Sequence, residues 1–269
     1  MIRLGSVPFL NVKPLVLPLE QNIVKHDFEI ISAPPAELSR MLEDGEIDLG
    51  LVPVAELINK RACTVVPGVS ISSLGPVDSV VLLSKVELAE IKTVAVDRRS
   101  QSSAGLLRVI MEMFIKTRPE YIRADVEAGV VEGVEACMFI GNSGLKNRHF
   151  PPEGCRVYDL GEIWTEQTGL PFVYGVYAVN PGVDLGSGVD ALLEAKSVGM
   201  KMAEKIAMIE SPKIGLSEEV CLRYITERIR YGLGTQELEG IKRFAAYMGE
   251  LGEHPGGDFE LKLYDGPEA

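Results

Sequence analysis

The chain has 269 residues, of which 46% are hydrophobic and 25% are charged, the balance of a globular protein with a substantial core. Acidic residues outnumber basic residues by 39 to 27, so the formal net charge is -12. This charge argues against nucleic acids and anionic membranes as partners, because both bind through basic patches. It is compatible with a small anionic ligand held by backbone N–H groups and hydroxyls.

The first half of the chain alternates short apolar runs with segments of helical spacing. The apolar runs predict strands at residues 2–7, 28–32 and 47–52. Prolines in a first turn and apolar residues on one face predict helices at residues 11–20, 32–45 and 52–60. This alternation is typical of parallel strands joined by crossover helices.

A similar plan follows in the second half, with strands predicted at residues 93–96 and 136–141 and helices at residues 106–116 and 142–146. Further helices follow from about residue 181. Two extended apolar segments, residues 79–86 and 172–180, bracket the middle and are predicted to cross between two lobes as a hinge.

We therefore predict an α/β protein of two lobes with a ligand cleft between them, beyond the carboxyl ends of the strands. The first lobe is predicted to be discontinuous and to contain residues 1–86 and 177–269. The second lobe is predicted to be an insertion of residues 87–176.

The cysteines and histidines are scattered, without a CxxC pair or the spacing of metal ligands. They are Cys63, Cys137, Cys155, Cys221, His26, His149 and His254. We expect reduced cysteines, no metal site and no bound cofactor. Because the N-terminus lacks the pattern of a signal peptide and no apolar run approaches the ~20 residues of a membrane helix, we expect a cytoplasmic protein.

Polar loops are predicted to face the cleft from both lobes. They comprise residues 6–11, 52–54, 72–79, 99–103 and 141–143. Their hydroxyls and amides, beside helix N-terminal N–H groups, suit the binding of carboxylates. Each loop taken singly also fits a turn or a helix cap. Asp78 is expected to be solvated, and Tyr174 either contacts ligand or packs in the core.

Six segments of the sequence match one known family in combination. They are VPFLNVKPL (7–15), GEIDLGLVPVAEL (45–57), PGVSISSLGPVDSVVLLSKV (67–86), SQSSAGLL (100–107), FIGNSGL (139–145) and YDLGEIWTEQTGLPFVYGVYAV (158–179). On these segments the chain resembles, over nearly its whole length, the MqnA family, the chorismate dehydratases of the futalosine route to menaquinone. The resemblance implies the two-lobed fold of periplasmic type II solute-binding proteins.

The resemblance implies catalytic roles for Asn11 and Ser79 and a carboxylate-binding turn at Ser102 and Ser103. The cleft loops add further candidates for substrate binding, which are Ser72, Ser73, Gly141 and Asn142.

The chain departs from the family pattern at two positions. Asn142 stands where members commonly have Asp, and Gln101 stands where many have Arg. The first departure removes an acid that would otherwise be a candidate base.

The implied reaction removes water from chorismate, a small dicarboxylate, and gives the aromatic 3-[(1-carboxyvinyl)oxy]benzoate without a metal or redox cofactor. The candidate loops contain no obvious general base, so the enolpyruvyl carboxylate of the substrate is expected to take the ring proton itself. Asn11 and Ser79 would then orient that carboxylate and hydrogen-bond the departing hydroxyl. Two alternatives remain: a lyase of the same pathway that gives 1,4-dihydroxy-6-naphthoate, and a non-catalytic binder of a cyclic or aromatic carboxylate.

Overall fold

A computed structural model describes residues 1–59, 63–97, 101–126, 131–253, 259 and 261–266. The strands in this part of the chain are β1 (Ile2–Ser6), β2 (Phe28–Ser32), β3 (Leu49–Pro53), β4 (Thr64–Ser73), β5 (Val80–Ser84), β6 (Thr93–Asp97), β7 (Glu120–Ala124), β8 (Ala136–Ile140), β9 (Arg156–Asp159) and β10 (Phe172–Val179).

The helices are α1 (Lys13–Glu20), α2 (Pro35–Glu43), α3 (Val54–Asn59), α4 (Gln101–Arg108), α5 (Gly141–His149), α6 (Leu160–Thr168), α7 (Gly188–Lys201), α8 (Ala203–Ile214), α9 (Glu218–Arg223) and α10 (Thr235–Glu250). Short 3₁₀ turns occupy Leu10–Val12 and Leu88–Glu90. Helices α4 and α9 continue as π-helical turns over Val109–Ile115 and Tyr224–Arg228. Lys60, at the end of the helix predicted at residues 52–60, lies outside the described residues.

The first lobe is built on a five-stranded sheet of order β2-β1-β3-β10-β4. Strand β1 runs parallel to β2 and β3, as the alternation of strands and helices predicts. Strand β10 enters antiparallel between β3 and β4. All but one of its side chains are buried, which fits a central strand covered on both faces.

The second lobe is built on a five-stranded sheet of order β7-β6-β8-β5-β9. Its β6 is parallel to β7 and β8, and β5 is antiparallel to β8 and β9. Each sheet therefore combines parallel strands with one antiparallel strand inserted near an edge.

The chain passes between the sheets at different residues from those predicted. Residues 80–86 were assigned to the first lobe, yet Val80–Ser84 forms β5 of the second sheet. Residues 172–176 were assigned to the second lobe, yet they belong to β10 of the first sheet. An apolar run shows that a strand is buried but not which strands it pairs with, so the sequence pattern fits either sheet. The crossings lie at residues 74–79 and between β9 and β10.

The C-terminal helices cover the first lobe. Helix α7 packs against α1 and β4, and α8 packs against α1 and α9. Helix α10 contacts β10 and α3 and also the π-helical end of α4. An aromatic cluster secures it, in which Trp164 of α6 lies 5.3 Å from Phe172 and 6.1 Å from Phe244 between ring centroids. No helix within the described ranges is both long and apolar enough to cross a bilayer.

Candidate active site

A cleft between the two sheets has an empty volume of about 670 Å³, counting its open mouth. Its walls are mostly apolar, with Phe9, Ile71, Val77, Ile140 and Tyr174 among the lining residues. Besides the Tyr174 phenol, five neutral polar side chains line it, namely Asn11, Ser79, Gln101, Ser102 and Ser103. Four of these five were predicted from the sequence as site residues.

Asn11 lies on the 3₁₀ turn that follows β1 and lines the cleft. Its Oδ1 atom is buried and has no hydrogen-bond partner among the described residues. A buried amide oxygen without a partner costs free energy, because it has lost its water. An amide oxygen only accepts hydrogen bonds, so its partner in a ligand has to be a donor such as a hydroxyl.

Ser79 is the last residue of the first crossing, directly before β5. It is buried, and its Oγ atom accepts a hydrogen bond from the Tyr224 hydroxyl at 2.8 Å. Burial raises the pKa of Tyr224 above its ordinary value, so the phenol keeps the hydrogen that it donates to Ser79. The hydroxyl hydrogen of Ser79 is then available to a ligand in the cleft.

Ser102 and Ser103 lie in the first turn of α4, where backbone N–H groups are not used within the helix. The Ser102 Oγ atom accepts a hydrogen bond from the Ala55 N–H at 3.0 Å, which joins α4 of the second lobe to α3 of the first. Ser103 and Gln101 also line the cleft. Arg99 and Ser100 of the predicted loop lie outside the described residues.

Gly141 and Asn142 begin α5, and only Gly141 lines the cleft. Gly141 has a φ of +58°, and an added Cβ atom would lie 3.3 Å from the Phe9 ring. Asn142 was predicted to bind substrate, but its Oδ1 atom accepts a hydrogen bond from the Leu10 N–H at 3.1 Å. Its amide oxygen is therefore used to join the two lobes.

Ser72 and Ser73 were also predicted to bind substrate, but neither lines the cleft. Both are fully buried in β4. The Ser72 hydroxyl donates to the Arg230 carbonyl at 3.2 Å, and Ser73 pairs with the Tyr174 hydroxyl at 3.1 Å. A hydroxyl buried in a strand needs a partner, and these two find theirs inside the protein.

The loop between β4 and β5 is held by two buried aspartates. Asp159 caps α6 and also accepts hydrogen bonds from the N–H groups of Val77 and Asp78. Asp78 was expected to be solvated, yet it is 3% exposed and pairs with Arg228 at 2.8 Å. Its partners come from helices that are distant in sequence, which explains why the local pattern did not reveal the burial.

The sequence did not single out Phe9 or Tyr224, and for Tyr174 it left ligand contact and core packing open. Phe9 and Tyr174 line the cleft, and Tyr224 lies behind Ser79. A signal was present for Phe9, which precedes Asn11 in the first polar loop. Nothing in the local sequence around Tyr224 connects it to Ser79, 145 residues earlier in the chain.

The arrangement suits a small anion that contains a flat ring. The N-termini of α4 and α5 and the serine hydroxyls provide donors for carboxylates, and the aromatic residues provide flat apolar surfaces. The only side chain with a titratable group among the described lining residues is Tyr174, whose pKa burial raises well above its ordinary value. Within the same ranges no cluster of His, Cys, Asp or Glu is arranged to hold a metal ion, and His254 lies outside them.

Comparisons with known proteins agree with this description. A family model described as menaquinone biosynthesis matches residues 2–250. A protein named chorismate dehydratase from Thermus thermophilus is 29% identical over 266 residues, covering 91% of this chain and 94% of that protein.

Solved structures of similar shape include two in which the identity is low and the coverage nearly complete. Protein AF1704 from Archaeoglobus fulgidus has a TM-score of 0.74 at 18% identity and covers 94% of this chain and 98% of its own. The alkanesulfonate-binding protein SsuA from Xanthomonas axonopodis pv. citri, bound to MOPS, has a TM-score of 0.71 at 16% identity and covers 95% and 94%. These similarities confirm the predicted fold of the periplasmic binding protein type.

Proposed function

Because the chain belongs to the menaquinone biosynthesis family, we propose that it is a chorismate dehydratase, a hydro-lyase that converts chorismate into 3-[(1-carboxyvinyl)oxy]benzoate. The structural observation that carries the proposal is a cleft in which neutral hydrogen-bonding groups face apolar walls and no described carboxylate or imidazole lines the surface. The product enters the futalosine route to menaquinone.

The substrate matches the cleft in charge and in shape. Chorismate carries a ring carboxylate and an enolpyruvyl carboxylate, and helix N-termini with nearby hydroxyls bind such groups without a cationic side chain. The first turns of α4 and α5 and Ser103 supply these donors. Phe9 and Tyr174 supply apolar surface for the ring.

The reaction has a balanced course that needs no protein base. The enolpyruvyl carboxylate removes the proton from the ether-bearing ring carbon, and the electron pair of that C–H bond forms the new ring double bond. The bond from the neighbouring carbon to its hydroxyl breaks, and the departing oxygen leaves as water with the proton that was removed. Because the ring becomes aromatic, the step is strongly downhill.

Asn11 and Ser79 are assigned to the two groups that change during this step, the enolpyruvyl carboxylate and the departing hydroxyl. Ser79 offers a hydroxyl hydrogen, and the Asn11 amide offers both a donor and a buried acceptor that no described residue pairs with. Donors that are held in place before the reaction stabilise developing negative charge, and one such donor contributes about 100-fold to turnover in well-studied enzymes. A fixed pose of the substrate also disfavours the competing rearrangement of chorismate.

The direct test is to incubate the purified protein with chorismate and to follow the products by absorbance and mass spectrometry. The proposal expects a benzoate chromophore and a product lighter than chorismate by one water. Formation of another product, or no product at all, contradicts it. Chorismate incubated without protein provides the control for spontaneous breakdown.

A second candidate is a non-catalytic binder of a cyclic carboxylate, which the similarity in fold to solute-binding proteins favours. Titration calorimetry separates the two functions. A binder gives saturable heat with chorismate and leaves it unchanged over hours, whereas the dehydratase consumes it.

A further inference from the structure

We propose that Tyr224 is a positioning residue for the dehydration: its phenol fixes the Ser79 hydroxyl so that the hydrogen of Ser79 points to the substrate. The inference rests on the proposed function and adds a residue that does not itself line the cleft. Tyr224 begins the π-helical turn Tyr224–Arg228, far from the cleft loops in sequence.

The geometry of the pair supports this role. The Tyr224 hydroxyl donates to Ser79 Oγ over 2.8 Å, and each residue is 2% exposed. A serine hydroxyl has one hydrogen and two acceptor sites. Since one acceptor site is taken by the phenol, the hydrogen is directed elsewhere, and Ser79 lines the cleft.

The hydrogen-bond geometry gives the bond its direction, with the Tyr224 hydroxyl as donor and Ser79 Oγ as acceptor. Burial raises the pKa of Tyr224, so the phenol keeps the hydrogen that it donates across the neutral range. A hydroxyl that accepts one hydrogen bond becomes a stronger donor in the next, because bonds in a chain polarise each other. Tyr224 therefore strengthens the hydrogen bond that Ser79 donates to the substrate.

The same π-helical turn also holds the residue before Ser79. Arg228 pairs with Asp78 at 2.8 Å, and Asp78 has a φ of +60°, which is unfavourable for a residue with a side chain. Such a conformation persists where the surroundings fix it, and it is concentrated at functional sites. Tyr224 and Arg228 thus hold two consecutive residues of the crossing segment, and π-helical turns are themselves frequent at functional sites.

The test compares Tyr224→Phe with the wild type in steady-state turnover of chorismate. Loss of one hydrogen bond of ordinary strength predicts a fall in kcat of roughly tenfold, with KM changed by less than about twofold. The matched control is Tyr231→Phe. Tyr231 is also buried, but its hydroxyl has no partner in the described structure, so its removal leaves kcat unchanged.

A double mutant separates positioning from a merely structural role. In a Ser79→Ala background, Tyr224→Phe is expected to cause no further loss of kcat, because the hydroxyl it positions is gone. An undiminished kcat in Tyr224→Phe, or an equal loss in both backgrounds, overturns the proposal. Melting curves of all variants show whether a loss comes from unfolding. If the wild type leaves chorismate unchanged, the proposed function fails first and the positioning role falls with it.

Discussion

The Oδ1 atom of Asn142, at the start of α5, accepts a hydrogen bond from the Leu10 N–H at 3.1 Å. The bond joins the second lobe to the loop of the first lobe that carries Asn11, the residue after Leu10. An aspartate carboxylate accepts the same bond as well as an asparagine amide does. We infer that this position requires an acceptor and does not require a negative charge, which accounts for an asparagine where the resembled family commonly has aspartate.

Substitutions of Asn142 are predicted to distinguish a need for a hydrogen-bond acceptor from a need for a negative charge. Asn142→Asp keeps the acceptor and is expected to retain kcat/KM for chorismate within about twofold, whereas Asn142→Ala loses roughly 1 kcal/mol of interlobe bonding, about fivefold in kcat/KM. Steady-state kinetics measure both. If Asn142→Asp raises turnover by orders of magnitude, the position acts as a base and substrate assistance is wrong for this protein.

Gly144 allows α5 to pack directly against the first crossing. A Cβ atom at this position would lie 2.1 Å from the carbonyl oxygen of Ser79. Gly144→Ala is therefore predicted to displace Ser79 or α5, with a loss of about 1–3 kcal/mol in the free energy of unfolding and a fall in kcat. Thermal melts and turnover assays measure the two effects.

Gly249→Ala is the matched control for that substitution. Gly249 lies near the end of α10, and in the described part of the chain no atom beyond its chain neighbours and the helix backbone lies within 4 Å of the position that its Cβ would take. Replacing a helical glycine with alanine at an open site usually stabilises by about 0.4–1 kcal/mol. An equal loss of stability in both variants would show that packing against Ser79 is not the cause.

The pH dependence of turnover is predicted to be flat from about pH 6 to about pH 9, because the substrate carboxylates are already ionised and tyrosines with raised pKa values stay protonated. Burial raises the pKa of both Tyr174 and Tyr224. A raised pKa in the folded state leaves stability intact below the unfolded value of about 10 and lowers it above that value. A rate profile with a limb near neutral pH would reveal a titrating base and contradict the mechanism.

Much of the fold follows from sequence pattern, because burial and periodicity are local properties. The apolar runs at residues 28–32 and 93–96 form β2 and β6, and the segment 32–45, which has prolines in its first turn, contains α2. The sheet that β5 joins and the sheet that β10 joins could not be predicted in this way, since each depends on hydrogen bonds to strands that are distant in sequence. The lobe boundaries were therefore placed several residues from the crossings that the sheets define.

The sequence likewise placed some of the candidate site residues at the cleft and misplaced others. Asn11, Ser79, Ser102 and Ser103 line the cleft because they occur beside strand ends, in a connecting loop or in the first turn of a helix. Ser72 and Ser73 looked equivalent in the sequence, yet β4 extends through both and buries them. Loop composition shows which residues are polar, but the strand end decides which of them reach the cleft.

The loss of Ser72 is accordingly predicted to affect stability without affecting the reaction. Ser72→Ala removes a hydrogen bond to the Arg230 carbonyl and is expected to cost about 1 kcal/mol in the free energy of unfolding. Its kcat on chorismate is expected to match the wild type. A hundredfold fall in kcat without loss of stability would place Ser72 in the reaction after all.

Asn11 and Ser79 are proposed to act on the proton and the hydroxyl that chorismate loses, and kcat at saturating substrate tests these roles most directly. Asn11→Ala and Ser79→Ala are each predicted to lower kcat by about 100-fold, roughly 3 kcal/mol in the activation barrier, with a much smaller change in KM. Folded variants of both that turn over chorismate at the wild-type rate would contradict the account.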